Sequence, residues 1–344
     1  MSLIKRINID PNGLCNAKCW YCPVAYLGNP KENRGTMSIE TMENILKEID
    51  AGRGDFVDPT IDIYNNPIHY NEILLYPYLR EMFELHRKYN IKLYMFSNGV
   101  NLTPEKSDLI KEYSDVITDI ILNVPSIERT QWATFVGFNE KIFDKLLNNL
   151  HYANDNLSDT FSGEQLMILV NGVNDNTIRK QTNLLNVLDK APVYNLGDLE
   201  KNVKEMEKLF PNILIVPRDN LSDRVGILST LNIISNQEKI VEKKDQEVIG
   251  CAYGMTGEGY PDNELFISAT GNVYICCADF SYESVYANIE NKTIKEIWNG
   301  IERQEMIKKS YSSMCRSCMG AIWSDGKIPN VRSQQLGGYD IITI

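Results

Sequence analysis

The sequence has few basic residues, few histidines and no long apolar run. It holds 35 Lys and Arg against 46 Asp and Glu, so its net charge is −11 at pH 7. Because phosphate binding requires a basic face, this balance argues against a nucleic-acid partner. No apolar run approaches the roughly 18 residues of a membrane span, and residues 1–6 lack the apolar stretch and cleavage site of a signal peptide. We therefore expect a cytoplasmic protein with neither a membrane nor a nucleic-acid partner.

Residue patterns for hydrolysis or phosphate binding are also missing. The sequence has no Ser/His/Asp arrangement, no phosphate loop and no internal repeat. Its three histidines do not cluster: His86 and His151 fall in predicted helices, and His69 follows the second predicted strand, where it could face a site. Eight cysteines are present instead. In a reducing compartment, such cysteines indicate metal ligands rather than disulfides.

Three cysteines stand close together near the N-terminus. Cys15, Cys19 and Cys22 have C-x3-C-x2-C spacing and follow a short predicted strand. Soft thiolates at this spacing suit zinc or an iron–sulfur cluster. A closed zinc site would need a fourth ligand nearby, and no Cys or His follows within forty residues. The plainest interpretation is a 4Fe–4S cluster with one iron open to a ligand.

This octet, with Tyr21 immediately before the third cysteine, resembles the signature of the radical S-adenosylmethionine (radical SAM) enzymes. The resemblance implies that the three cysteines hold the cluster and that Tyr21 belongs to the cofactor site. It also implies that SAM chelates the open iron and is cleaved by one electron to a 5′-deoxyadenosyl radical. A zinc knuckle, or buried structural thiols, is the alternative.

Alternating strand and helix patterns follow the octet. The predicted strands are residues 5–9, 60–64, 91–96, 116–123, 165–170 and 213–216. Helices are expected after Ser38, from Thr103, over about 140–153 and from near Asp175. The pattern changes after about residue 235, and residues 237–247 are typical of a solvated linker. We predict an α/β fold with a partial (β/α)6 TIM-like barrel over residues 1–235.

In such a barrel the chemistry lies where strands end. Ser97-Asn98-Gly99 is similar to the Thr-Asn-Gly that the family carries after strand three. Val136-Gly137 is similar to the family's stretch between strands four and five. Asn123 stands at the end of strand four, where the family often places a polar contact to the SAM ribose. After strand two the family carries Gly-Gly-Glu-Pro, which binds the SAM amino group. Here Asn65 and Asn66 precede a proline, and we expect their amide oxygens to accept from the ammonium without the charge assistance of a carboxylate.

The other five cysteines lie beyond residue 250. A predicted β-hairpin turns at Thr270-Gly271-Asn272 and ends in the adjacent Cys276 and Cys277. A capping box at Thr293 opens a helix through about residue 309. A C-x2-C pair then follows, and one cysteine stands alone before the hairpin. Such a hairpin, helix and cysteine pair can bring four thiolates to one point.

This half resembles the SPASM/twitch extension of radical SAM enzymes, in its shorter twitch form. The resemblance implies an auxiliary 4Fe–4S cluster held by Cys251, Cys276, Cys315 and Cys318. We predict a small C-terminal α+β extension over residues 236–320 and a tail over residues 321–344. A structural zinc on the same four thiolates is the alternative.

Cys277 is left over, and three interpretations compete. It is a buried small residue, or the ligand in place of Cys276, or a catalytic thiol that returns a hydrogen atom to a substrate radical, as in related peptide epimerases.

Together these features predict a SAM-dependent radical enzyme that takes hydrogen from a substrate C–H bond. By analogy with other enzymes carrying this extension, the substrate is a ribosomal peptide or protein. The chain begins almost at its first strand, so no leader-peptide-binding domain is expected. That leaves a small molecule, such as a sugar or other alcohol, as the alternative. An electron donor such as flavodoxin or ferredoxin is implied. A non-catalytic electron carrier or zinc-binding module is the hypothesis from another class.

Overall fold

The computed structural model describes residues 2–19, 22–30, 33–60, 62–65, 67, 69–171, 196–218, 245–252, 260–318, 320–325, 332–336 and 339–343. The strands are β1 Arg6–Ile9, β2 Tyr64–Asn65, β3 Lys92–Ser97, β4 Ile117–Asn123, β5 Leu166–Asn171, β6 Leu214–Arg218, β7 Val248–Cys251, β8 Glu264–Ile267, β9 Asn272–Tyr274, β10 Ala287–Asn288, β11 Ala321–Trp323, β12 Arg332–Leu336 and β13 Tyr339–Thr343. The helices are α1 Val24–Leu27, α2 Ile39–Ala51, α3 Leu79–Lys88, α4 Pro104–Glu112, α5 Arg129–Val136, α6 Phe143–Asn156, α7 Leu196–Leu209, α8 Tyr260–Asn263, α9 Ile294–Asn299 and α10 Ile301–Ser312.

A parallel sheet forms the centre of the molecule. Strands β1 to β6 lie side by side in chain order, and each neighbouring pair is parallel. The barrel is therefore partial and not closed, as predicted. Because all six strands run the same way, the loops that follow them meet at one edge of the sheet. The cysteine octet follows β1 and lies at that edge.

The helices form where periodicity predicts them. Ser38 caps α2, its Oγ accepting from Thr41 N at 3.0 Å, and α2 buries an apolar face of Met42, Ile45, Leu46 and Ile49. Pro104 occupies the first turn of α4, where its missing N–H costs nothing. The apolar faces of these helices pack into one continuous core with the sheet.

The C-terminal hairpin extends the barrel sheet. Strand β8 pairs in parallel with β1, from Arg6 beside Glu264 to Ile9 beside Ile267. The turn predicted at 270–272 is confirmed, with Gly271 at a φ of +78°. Strands β8, β9 and β10 thus continue the same nine-stranded sheet beyond β1.

Two boundaries differ from prediction. The second strand is Tyr64–Asn65, later and shorter than the expected 60–64. The helix expected to run from Thr293 to about residue 309 is broken at Gly300, whose extended backbone separates α9 from α10. The helix expected near Asp175, and residues 237–244 of the predicted linker, lie outside the described residues. Among the helices that are described, none has the length and apolarity to cross a membrane.

Candidate active site and cluster sites

The three cysteines of the octet lie on a tight loop after β1. Cys22 N donates to Cys19 O at 2.9 Å, and Ala25 N donates to Cys22 O at 3.0 Å. Cys15 is solvent-exposed, whereas Cys19 and Cys22 are half-buried. Desolvation, and to a smaller extent the Glu72 carboxylate and the Cys22 thiol, raise the pKa of the Cys15 thiol to about 12.

Gly137 holds this loop against α5. Lys18 N donates to Val136 O at 2.8 Å. Gly137 ends α5 with a φ of +69°, and a Cβ there would lie 2.8 Å from the Lys18 carbonyl oxygen. The close approach of the two backbones therefore requires glycine at this position. Trp20 and Tyr21 lie outside the described residues, so the role predicted for Tyr21 stays a prediction.

A buried carboxylate, Glu72, lies between the cysteine loop and the end of β3. Its Oε1 accepts from Ser97 Oγ at 2.7 Å and its Oε2 accepts from Asn98 N at 2.8 Å. Its backbone N donates to Leu14 O at 2.7 Å, beside Cys15. Burial raises the pKa of Glu72, and the hydrogen bonds to it oppose that shift. An acidic side chain thus stands next to the candidate cluster, where the sequence interpretation found none.

The sequence pattern did not indicate Glu72, because the carboxylate of the family is expected directly after the second strand. The observed strand ends at Asn65, and Glu72 follows seven positions later, just before the short 3-10 turn Ile73–Leu75. An isolated acid ahead of the apolar run Ile73-Leu74-Leu75 was the available signal. Glu72 and the family's Gly-Gly-Glu-Pro both follow strand two, but Glu72 lies seven positions after the strand and not directly behind it.

The residues predicted at the next two strand ends do reach this edge. Ser97 Oγ also accepts from Gly99 N at 3.0 Å, and Asn98 Nδ2 donates to Asn16 Oδ1 at 2.7 Å, inside the cysteine octet. Asn123 is the last residue of β4 and is half-buried. The end of β3 is therefore tied directly to the cysteine loop.

Asn65 lies in the core. Its Oδ1 accepts from Ile9 N at 2.9 Å, and its Nδ2 contacts His86 Nε2 at 3.1 Å. The other ring nitrogen of His86 lies 2.8 Å from Met82 O. Burial lowers the pKa of His86 to about 4, so the ring is neutral and accepts from Asn65. The structure gives both polar groups of the buried Asn65 amide partners in the core, and its predicted contact with SAM stays a prediction. Asn66 lies outside the described residues.

A second group of thiols forms where β7, β9 and the C-terminal turn meet. Cys251 ends β7 beside Ala321 of β11, and Cys315 and Cys318 lie on and just after the 3-10 turn Met314–Ser317. The hydrogen bond with Cys277 and burial raise the pKa of Cys276 well above its usual value. The nearby Cys251 and Cys318 raise it to a smaller extent. Cys251 and Cys318 likewise raise the pKa of Cys315, after burial. These interactions place the four thiols near one another, and their role as cluster ligands stays a prediction.

Backbone amides point at two of these sulfur atoms. Ala278 N donates to Cys276 Sγ at 3.3 Å, and Gly320 N donates to Cys318 Sγ at 3.4 Å. Such bonds favour the thiolate that a metal requires. Across the described ranges, no three Cys, His, Asp or Glu side chains converge as they would around one ion.

Cys277 is buried and packs against Phe266 and Tyr274. This is the position of a small core residue. Tyr282 packs against the same group of side chains and is half-buried. The role as a hydrogen donor stays a prediction.

The parallel sheet thus carries a thiol loop after β1 and a second group of thiols that begins at the end of β7, which is the arrangement of a protein with two candidate thiolate sites. The chain matches the family model of the Radical SAM superfamily over residues 9–185, and that of the SPASM iron–sulfur cluster-binding domain over residues 259–319. The chain therefore belongs to the radical SAM superfamily and carries a SPASM domain. These domains bind SAM, a 4Fe–4S cluster and auxiliary cluster iron. No curated protein matches the chain in sequence.

Solved structures show the same fold. BtrN in complex with AdoMet and 2-DOIA has a TM-score of 0.52 and 17% identity, covering 99% of this chain and 100% of its own. SuiB of Streptococcus suis bound to the precursor peptide SuiA has a TM-score of 0.53 and 14% identity, covering 92% of this chain and 70% of its own. Native anSMEcpe with bound AdoMet has a TM-score of 0.52 and 17% identity, with coverage of 92% and 89%. At these identities the likeness shows the fold alone.

Proposed function

We propose that Cys15, Cys19 and Cys22 hold the SAM-binding cluster and that this chain takes hydrogen from a substrate C–H bond. The observation that carries the proposal is the buried Glu72 carboxylate beside Cys15. When bound, the cluster and SAM supply a 5′-deoxyadenosyl radical. The protein supplies binding, orientation and exclusion of water.

Glu72 is the group best suited to the SAM ammonium. A carboxylate offers about four acceptor positions, and Glu72 uses three of them, for Ser97 Oγ, Asn98 N and Leu74 N. The remaining position on Oε2 can accept from an ammonium with charge assistance. Asn123, at the end of β4, contacts the ribose in this arrangement, and Tyr21 completes the site.

Cys251, Cys276, Cys315 and Cys318 hold the auxiliary cluster in this proposal. The two amide-to-sulfur hydrogen bonds at Cys276 and Cys318 support it. The cluster positions substrate or takes up the electron of the product radical. Cys277 is the candidate thiol for a redox-neutral reaction, which would need a hydrogen donor instead.

Two substrate classes are open. A ribosomal peptide or protein is the first, and the SuiB and anSMEcpe structures include peptide complexes. A small alcohol or sugar is the second. The structural match with BtrN, which was solved with the small molecule 2-DOIA, covers 99% of this chain and 100% of BtrN and supports this class. We propose a cytoplasmic enzyme with flavodoxin or ferredoxin as the electron donor.

Anaerobic reconstitution followed by an assay for 5′-deoxyadenosine with SAM and dithionite tests the function. Two clusters should give about 8 iron per chain, falling to about 4 in the Cys15/Cys19/Cys22 triple alanine variant. That variant should form no 5′-deoxyadenosine, whereas Cys277→Ala should keep full iron and SAM cleavage. Full iron loading with intact SAM would favour an electron carrier, and zinc in place of iron would favour a binding module.

A further inference from the structure

Three lysines lie around the cysteine loop at the carboxyl edge of the sheet. Lys18 belongs to the loop itself, and Lys106 and Lys145 lie in the first turns of α4 and α6. Lys18 and Lys145 are exposed, and Lys106 is half-buried. The connections that follow parallel strands begin at the edge where those strands end. These ammonium groups therefore share one edge of the sheet with Cys15.

Contacts hold two of these lysines close to Glu72 and to each other. Lys106 Nζ donates to Leu74 O, just after Glu72, and Lys145 Nζ donates to Asn101 Oδ1 at 3.3 Å. Burial lowers the pKa of Lys106, the Glu72 carboxylate opposes that shift, and the charge of Lys145 adds to it. Lys106 is thus close enough to interact with both a carboxylate and a second ammonium group.

The three lysines carry their charge without an ion-pair partner. In the part of the chain that the structure describes, none of them pairs with a carboxylate, whereas Asp144, the acid next to Lys145, is already paired with Arg129 at 2.5 Å. Glu105 lies next to Lys106 and opposes part of its charge. The chain as a whole has a net charge of −11. An acidic partner is therefore repelled by most of the molecule and attracted where lysines gather.

Two exposed apolar side chains lie at the same edge. Leu14 is 52% exposed and Tyr78, directly before α3, is 43% exposed. Leu14 is held in place because its N donates to Asn12 Oδ1 at 2.9 Å and its O accepts from Glu72 N at 2.7 Å. Apolar groups rimmed by charge form protein interfaces, and electron-carrying proteins use small ones. We define the open-edge patch as these two side chains with the three lysines: Leu14, Lys18, Tyr78, Lys106 and Lys145.

The exposure of the thiols distinguishes the two cysteine groups. Cys15 is exposed, whereas the other seven cysteines are half-buried or buried. A protein that delivers an electron must come close to the group that it reduces. The side of the molecule that carries Cys15 and the open-edge patch therefore suits such an approach better than the side that carries the auxiliary thiols.

Resting on the proposed function, we propose that the open-edge patch docks an acidic one-electron carrier protein of the flavodoxin class. One electron passes from the reduced flavin of the carrier to the cluster on the N-terminal thiols. The flavin is thereby oxidised by one electron and the cluster is reduced by one. The lysines set the orientation of the carrier, and Leu14 and Tyr78 form the apolar centre of the contact. The electron enters at this site and not through the auxiliary thiols.

Calorimetric titration of the reconstituted full chain with purified oxidised flavodoxin tests the docking. The wild type should bind, and its affinity should fall steeply between about 0.05 and 0.5 M salt, because salt screens exposed charges. Lys18→Glu and Lys145→Glu should each weaken binding by about tenfold or more. Absence of binding in the wild type, or affinities that neither variant changes, would overturn the proposal.

Lys208→Glu is the matched control for this change of charge. Lys208 is exposed in the last turn of α7, close to the start of β6 and therefore at the opposite edge of the sheet. It should bind flavodoxin as the wild type does. A loss equal to that of Lys145→Glu would mean that overall charge, and not the open-edge patch, decides the affinity.

Lys309→Glu tests docking at the auxiliary thiols instead. Lys309 is exposed in the last turn of α10, ahead of Cys315. This variant should also keep the affinity of the wild type. If it loses flavodoxin binding while Lys18→Glu and Lys145→Glu keep it, the carrier docks on the auxiliary side and the proposal is wrong.

The choice of reductant separates docking from the radical function. Formation of 5′-deoxyadenosine driven by NADPH, flavodoxin reductase and flavodoxin should fall about tenfold in Lys145→Glu. Formation driven by dithionite, a small ion that needs no docking surface, should stay at the wild-type rate, and SAM affinity should not change. A parallel loss with dithionite, or of SAM affinity, would assign Lys145 to the cofactor site and overturn the docking proposal. No product from the wild type with dithionite would instead defeat the proposed function, and the calorimetric titration would still decide where flavodoxin binds.

Discussion

Single polar residues decide how a cofactor could sit at the open edge of the sheet. Glu72 accepts hydrogen bonds from the end of β3 and lies beside Cys15, so it joins two parts of the site. Replacing it with Gln removes the charge and turns one acceptor into a donor. Hydrogen bonds to charged groups contribute about 1.5–3 kcal/mol. We therefore expect Glu72→Gln to weaken SAM binding by roughly 10- to 100-fold, measured by calorimetry on the reconstituted chain.

Glu43→Gln is the matched control for this prediction. Glu43 of α2 pairs with Lys88 of α3 on the surface. It should bind SAM as the wild type does. Unchanged affinity in Glu72→Gln, with full iron loading, would remove Glu72 from the SAM site.

His86 makes the stability depend on pH. Its folded pKa of about 4 lies below the ordinary value of 6.5, so the unfolded chain takes up the proton first. Its contribution is present above pH 6.5 and is lost as the pH falls toward 4, at about 1.4 kcal/mol per unit. Burial raises the pKa of the Asp10 carboxyl, and this changes the stability with pH in the opposite direction. The effect is the same in the wild type and in His86→Gln, so it cancels when the two proteins are compared.

The difference in unfolding free energy between wild type and His86→Gln isolates this effect. Urea titrations at pH 7, 6 and 5 should show the wild type losing its advantage as the pH falls. A difference that is constant with pH would mean that folding does not lower the pKa of His86.

Ligand residues with strong local patterns could be predicted, and residues placed by long loops could not. The spacing of Cys15, Cys19 and Cys22 and the Ser97-Asn98-Gly99 turn carry their own signal. Glu72 is placed by a seven-residue excursion after β2, whose course depends on tertiary contacts with Leu14 and Asn98. Asn65 was expected just after the second strand and instead lies within it, because the strand ends one residue later than its apolar pattern indicates.

At the scale of elements, the end of α5 sets the position of the cysteine loop. Alanine at Gly137 would meet the Lys18 carbonyl and would also force a side chain into a φ of +69°. The left-handed conformation costs roughly 1–2 kcal/mol, and the clash must be relieved by moving the loop. We expect Gly137→Ala to lose the iron of the N-terminal site, leaving about 4 iron per chain.

Gly54 offers a matched control for the strain alone. Its φ is +83°, and an added Cβ would meet nothing within 4 Å. Gly54→Ala should therefore lose a similar stability in thermal unfolding but keep both clusters. Equal iron content in the two variants would mean that the contact between α5 and the loop does not position the cysteines.

Elements were predicted well where hydrophobic periodicity is strong. Strands β3, β4 and β5 fall within one or two residues of their predicted positions, because a buried parallel strand is a bounded apolar run. Pairing between distant segments leaves no such local pattern. The parallel ladder between β1 and β8 joins residues more than 250 positions apart, and only tertiary structure reveals it.

At the scale of the whole molecule, the barrel and the C-terminal hairpin belong to one sheet, and a buried ion pair joins β1 to β8. Arg6 of β1 lies 3.6 Å from Glu264 of β8, both buried, and Asn8 Nδ2 donates to Glu264 Oε2 at 3.1 Å. Separating β8 from β1 would break this ion pair and the hydrogen bonds of the ladder, and it would expose the buried apolar side chains of both strands. The two halves should therefore unfold together.

Native-state hydrogen exchange in increasing urea measures this cooperativity. Peptides that contain β1 and β8 should lose protection at the same urea concentration, with the same dependence on urea. The hairpin of β12 and β13 is the internal control, because in the described part of the chain these strands pair only with each other, and an isolated hairpin is marginally stable. It should exchange at much lower urea. If β8 instead opens before β1, the C-terminal half folds as a separate unit. The auxiliary thiols would then be free to move relative to the SAM site during turnover.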